Sequence, residues 1–85
     1  MKKGTSYDLN TLAFLIGQGG IRENVKYAET RDDLLDKTMS CNKMEAVSWM
    51  KYYMQSVIYE GDGQKNLELR CKFLAAYDIY KSLSV

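Results

Sequence analysis

The sequence predicts an all-α protein, a small bundle of four to five short helices dominated by an antiparallel helical hairpin at the C-terminal end. Three observations carry the prediction. From Asn42 to Leu83 the large apolar residues recur at steps of three and four, the spacing that lines one face of a helix. Asn42-Lys43-Met44-Glu45 has the spacing of a capping box, a helix start signal. The two apolar stripes are separated only by Tyr59-Glu60-Gly61-Asp62-Gly63-Gln64, whose glycines suit a reversal of the chain. This half also holds seven of the ten aromatic residues, Trp49, Tyr52, Tyr53, Tyr59, Phe73, Tyr77 and Tyr80, and three of the five methionines. A core needs large apolar side chains, and they are concentrated here.

Along the chain, residues 1–7 read as a flexible polar lead-in. Ser6 or Asp8 can cap a first helix from Leu9 to about Gly17, apolar nearly all round through Leu9, Leu12, Phe14, Leu15 and Ile16. A run this apolar also suits a buried strand; the Asp8 cap and the leucine and alanine content favour helix. Gly17-Gln18-Gly19-Gly20 then ends it, since three glycines in four positions supply positive φ values. Ile21 to Ala28 fits a short helix, with Ile21, Val25 and Ala28 on one face; Ile21, Val25 and Tyr27 also suit a strand. Thr30-Arg31-Asp32-Asp33 reads as the next start, Thr30 as cap and the two aspartates in the positive first turn, for a helix to about Met39 that is expected to bury Leu34, Leu35 and Met39. The helix from Lys43 to about Tyr59 places Met44, Val47, Met50, Met54 and Val57 in one stripe, widened by Trp49, Tyr53 and Ile58. The last helix, about Gln64 to Leu83, places Leu69, Phe73, Ala76, Tyr80 and Leu83 in another, flanked by Leu67, Cys71 and Leu74.

The composition bounds the function. An 85-residue chain is a single small helical domain, residues 1–85, and buries about 60–65% of its unfolded surface. Domains this small often gain stability by pairing, so a homodimer is expected. Twelve basic against eleven acidic residues give a net charge of +1, which favours neither a nucleic acid nor a membrane surface. No apolar run approaches the roughly 20 residues needed to span a bilayer. Met1-Lys2-Lys3 opens like a signal peptide, but Asp8 and Asn10 follow and Leu12 to Ile16 is short for its apolar region, so the cytoplasm is the expected location. Two cysteines and no histidine fall short of the four ligands of a structural zinc site, so no metal and no cofactor are expected. In an antiparallel hairpin Cys71 faces a point near Tyr53, roughly 12 residues or ~18 Å from Cys41 along the helix. A disulfide needs Cα atoms within about 7 Å, so both thiols are expected to be free.

Each candidate for chemistry competes with a plainer reading. Gly17-Gln18-Gly19-Gly20 invites a phosphate loop, but Ile21-Arg22-Glu23 stands where that pattern needs Lys-Ser/Thr, and a helix terminator is the better reading. Glu29, Asp32, Asp33 and Asp36 are the densest acidic cluster; without a cleft they are a solvated helix start rather than paired catalytic carboxylates. Cys41, near Lys43 and a helix start, is the more reactive thiol, yet no histidine is present to take its proton, and Cys71 falls on an apolar stripe. No catalytic residue is assigned.

Binding is the stronger expectation. The hairpin carries aromatics around more of its circumference than one seam requires. Trp49, Tyr52, Tyr53, Tyr59 and Tyr77 are therefore expected to form a site for a larger protein partner, tryptophan, tyrosine and methionine being enriched at such interfaces. The runner-up is contact with RNA through Arg22, Lys26, Lys51 and Lys81 beside tyrosine faces, although neighbours in a helix point about 100° apart and so build no platform by adjacency. The abundance of Lys, Tyr and Met in a short chain lacking Pro and His resembles the texture of accessory proteins of large bacterial viruses, which implies no role for any residue. The expected function is a non-enzymatic cytoplasmic regulator or inhibitor, with a bacteriophage accessory or counter-defence protein as one form of it.

Overall fold

The structure is a computed structural model and describes residues 9–59 and 66–83, the side chain of Tyr59 excepted. The expected lead-in and the reversal through residues 60–65 lie outside the described residues. Among the described residues four helices follow one another, α1 (Leu9–Ile16), α2 (Val25–Met39), α3 (Lys43–Tyr59) and α4 (Leu67–Leu83), with a 3₁₀ turn at Ile21–Glu23. Three of the helices start on an asparagine, whose short side chain accepts an amide that the first turn leaves free. Asn24 Oδ1 accepts from the Lys26 amide at 2.8 Å, and Asn66 Oδ1 from the Leu69 amide at 3.2 Å. At α3 the capping box is reciprocal: Asn42 Oδ1 accepts from the Glu45 amide at 2.8 Å and Glu45 Oε1 from the Asn42 amide at 3.2 Å.

α4 is the centre of the bundle. Phe73, Leu74, Ala75 and Ala76 are consecutive and all buried, along with Cys71 and Ile79. Successive helical residues point about 100° apart, so four in a row can be buried only if neighbours stand on every side. α3 supplies one wall through Ala46, Met50, Met54 and Val57, and α2 another through Tyr27 and Leu34. Ala13 and Ile16 of α1 and Ile21 of the 3₁₀ turn complete the enclosure. Among the described residues every extensive contact between two α-helices has α4 as one member, the antiparallel pair α3–α4 being the largest.

The all-α bundle and its C-terminal hairpin are as expected, and several local expectations are corrected. Residues 25–39 form one helix rather than two, because no breaker separates Ala28 from Thr30 and Tyr27 and Leu34, seven positions apart, both reach α4 from one face. Asn24, not Thr30, is the cap; the Thr30 hydroxyl instead donates back to the Lys26 carbonyl at 2.7 Å. Glu29, Asp32, Asp33 and Asp36 are thus exposed within that helix rather than gathered at its start. Of the face expected from Ile21, Val25 and Ala28, only Ile21 is buried, since the chain is extended at Asn24 and breaks the periodicity. Met39 and Met44, placed in the core by their spacing, are both 79% exposed. Cys41 and Cys71 are free thiols; Cys71 is fully enclosed, and burial pushes its thiol pKa up.

Phe73→Ala is expected to cost about 3–5 kcal/mol, because it empties the middle of the one element all others pack on. Asn42→Ala, which breaks one capping box, is expected to cost about 1 kcal/mol. Urea unfolding followed by circular dichroism measures both, and equal losses would contradict the central position of α4.

Candidate interaction face on α3

Among the described residues, α3 meets the bundle through one side. With Ala46, Met50, Met54 and Val57 turned inward, the helical period puts Met44, Ser48 and Tyr52 on the opposite side. Tyr52 is 70% exposed, against 79% for Met44. Between them lies a shallow hollow of about 550 Å³ lined by Cys41, Met44, Glu45, Ser48, Trp49 and Tyr52. Ser48, small and exposed, stands between the two larger side chains and keeps the middle of the hollow open.

The spacing of these residues has a structural meaning. Glu45, Ser48, Trp49 and Tyr52 stand at i, i+3, i+4 and i+7, the four corners of the hole that receives one side chain of a facing helix in knobs-into-holes packing. Cys41, in the bend before the helix, and Met44, in its first turn, extend the hollow beyond that hole. The hole accepts one large side chain of another helix.

The residues expected at a partner site do not all gather here. Trp49 stacks on Tyr53, ring centroids 5.3 Å apart and planes 16° from parallel, and both rings lean on the core while Trp49 keeps an edge in the hollow. Tyr52 is beside it. Tyr77 is on α4, its ring stacked on Phe73 at 6.4 Å and its hydroxyl donating to Asn10 Oδ1. The side chain of Tyr59 lies outside the described residues. Met44 and Cys41 join the site unforeseen. The signal for Met44 was Ala46: a stripe of Ala46, Met50, Met54 and Val57 is as regular as the one through Met44 and leaves Met44 outside it.

The basic residues are dispersed. Arg22 donates through Nε and Nη2 to the two carboxylate oxygens of Asp78, each at 2.9 Å, and this hydrogen bonding raises its pKa further. Its charge is matched within the molecule. Lys26, Lys51 and Lys81 are exposed on three different helices. Lys26 borders a cleft of about 270 Å³ where Lys37 and Lys72 are balanced by Glu29, Asp33 and Glu68. Among the described residues no group of three or more His, Cys, Asp or Glu side chains is placed to hold a metal ion, and no helix is long and apolar enough to cross a membrane. Comparison of the chain with protein-family models, with curated proteins and with solved structures gives no match.

Asp78 also accepts from the Tyr27 hydroxyl. Desolvation first, and then this hydrogen bond to a carboxylate, push the Tyr27 pKa up to about 12. A phenol that ionises near 10 in the unfolded chain and near 12 in the folded one favours folding fully below pH 10. That contribution is lost as the pH rises from about 10 to about 12. Ultraviolet titration is expected to show one tyrosine ionising near 12 in the native protein, and Tyr27→Phe to remove that step. A native titration with every tyrosine near 10 would contradict the Tyr27–Asp78 arrangement.

Proposed function

We propose that the protein is a non-enzymatic regulator or inhibitor that acts in the cytoplasm by docking a helix of a larger protein on the outer face of α3. The observation that carries the reading is the exposure of Met44 and Tyr52 on either side of Ser48, beside a hole of knobs-into-holes spacing. Leaving a methionine in water forgoes about 1.5–3 kcal/mol relative to burying it, a cost with no return inside the monomer. Methionine, tyrosine and tryptophan edges are the groups that bury well against a partner, the thioether by adapting its shape and the aromatic rings by area. The partner helix this face fits carries a large apolar side chain for that hole, with apolar surface beside it for Met44. Free thiols at Cys41 and Cys71 suit a reducing compartment.

The test is the double variant Met44→Asp/Tyr52→Asp. Both side chains are exposed, so helix content and melting temperature are expected to stay near wild type, while affinity for the retained partner falls by at least tenfold, or about 1.4 kcal/mol. A partner retained equally by the two proteins rules out this face. Recovery of nucleic acid alone, released by salt, would favour RNA contact through Lys26, Lys51 and Lys81 instead. A wild-type mass of two chains that the variant reduces to one would make a second copy the occupant of the face.

A further inference from the structure

α1 is held to the molecule in a way that suits exchange between copies. It has eight residues, too few to persist as a helix in water without a surface to lie on. Among the described residues its extensive contact is with α4, where Ala13 and Ile16 are buried at 4% exposure each. Two polar ties add to this packing. Tyr77 donates to Asn10 near the start of α1, and Arg70 Nη2 donates to the carbonyls of Ile16 at 3.2 Å and Gln18 at 2.8 Å beyond its end. The Ile16 carbonyl is among the acceptors a helix C-terminus leaves free, and a cation is favoured at that end. Arg70 is half-buried, and its Nε is covered without a hydrogen-bond partner among the described residues while Nη2 makes both contacts.

Each tie joins residues 52 to 67 positions apart, and all of them hold the part of the chain that precedes Gly19 and Gly20 in the short connection, residues 17–24. That connection turns at Gly19 and Gly20, with φ of +83° and +72°. Glycine adopts those values without strain, and adopts extended ones as readily. The seat on α4 therefore meets the same side chains whether α1 arrives from its own chain or from another, the condition for domain swapping.

We propose that the seat on α4 is an interaction surface whose occupant, besides the chain's own α1, is the α1 of a second copy, so that closed monomers stand in equilibrium with a reciprocally swapped dimer. The equilibrium is set at the turn. Closed monomers need left-handed backbone at Gly19 and Gly20, whereas the swapped form takes an opened connection there.

Gly19→Ala/Gly20→Ala is the direct test, because a left-handed alanine strains the closed turn only. At about 100 µM chain, light scattering is expected to show a dimer fraction at least roughly tenfold that of the wild type, the factor that one such residue is worth. Adding Ile16→Asp to that variant is expected to return it to single-chain mass. A hinge variant with wild-type helix content and single-chain mass overturns the proposal, as does a dimer that Ile16→Asp leaves intact, since it is then held elsewhere. If the hinge variant does not fold, the wild-type hinge decides. Asn10→Cys chains are mixed with Tyr77→Cys chains, both carrying Cys41→Ser, and treated with a short bis-maleimide. Bridging of unlike chains is expected to exceed that of an Asn10→Cys and Lys51→Cys mixture; equal bridging overturns the proposal.

Discussion

The enclosure of α4 is the constraint on which the rest of the structure depends. Phe73-Leu74-Ala75-Ala76 buries four successive directions of one helix, and a chain of this length has just enough other material to cover them. α3 and α2 take the larger walls, and α1 with the 3₁₀ turn closes what remains. The small Ala75 and Ala76 let neighbours approach closely, while Phe73 and Leu74 fill the volume between them. The consequence reaches the surface. Neighbours arranged around a hub need not cover one another, so each has one side on α4 and the other in water. The open face of α3 with Met44 and Tyr52 follows from that geometry.

Packing alone does not determine where the N-terminal half sits, because apolar contact has no direction. The polar residues of α4 supply it. Asp78 receives the fork of Arg22 and the hydroxyl of Tyr27, Arg70 reaches the carbonyls at the end of α1, and Tyr77 holds Asn10. The side-chain hydrogen bonds described between distant parts of the chain all have an α4 residue as one partner. They fall on α1, on the turn after it and on the first turn of α2, on both sides of the glycines that leave the backbone least restricted. Hydrogen bonds of this kind contribute little net stability each but reject alternatives that leave their groups unmatched.

The molecule thus offers two kinds of surface. On α3 the apolar side chains are already exposed and their spacing matches the grooves of helix packing, which suits a partner that brings its own helix. On α4 the apolar surface is covered by a short segment tethered through glycines, which suits an occupant identical to the one present. Both uses need nothing beyond burial and a few oriented hydrogen bonds. Both are open to so small a chain because a central helix leaves its neighbours peripheral.

Much of this was legible in the residues themselves. The helix class, the glycine stop after α1, the Asn42–Glu45 box and the α3–α4 hairpin are local matters of spacing, capping and turn chemistry, and they appear where the sequence puts them. Thr30 misled because a hydroxyl before acidic residues looks the same whether it caps a helix or bonds back within one; only the burial of Tyr27 and Leu34 on a single face decides. Met44 misled because two stripes along α3 are equally regular, and the choice between them rests on which side meets α4. Arg22 and Tyr77 were read as free to bind, yet Asp78 and Asn10, more than fifty positions away in each case, engage them. Local pattern determined what the helices are. The single buried axis they share decided which faces turn outward, because a helix's sides are distinguished only by what stands against them.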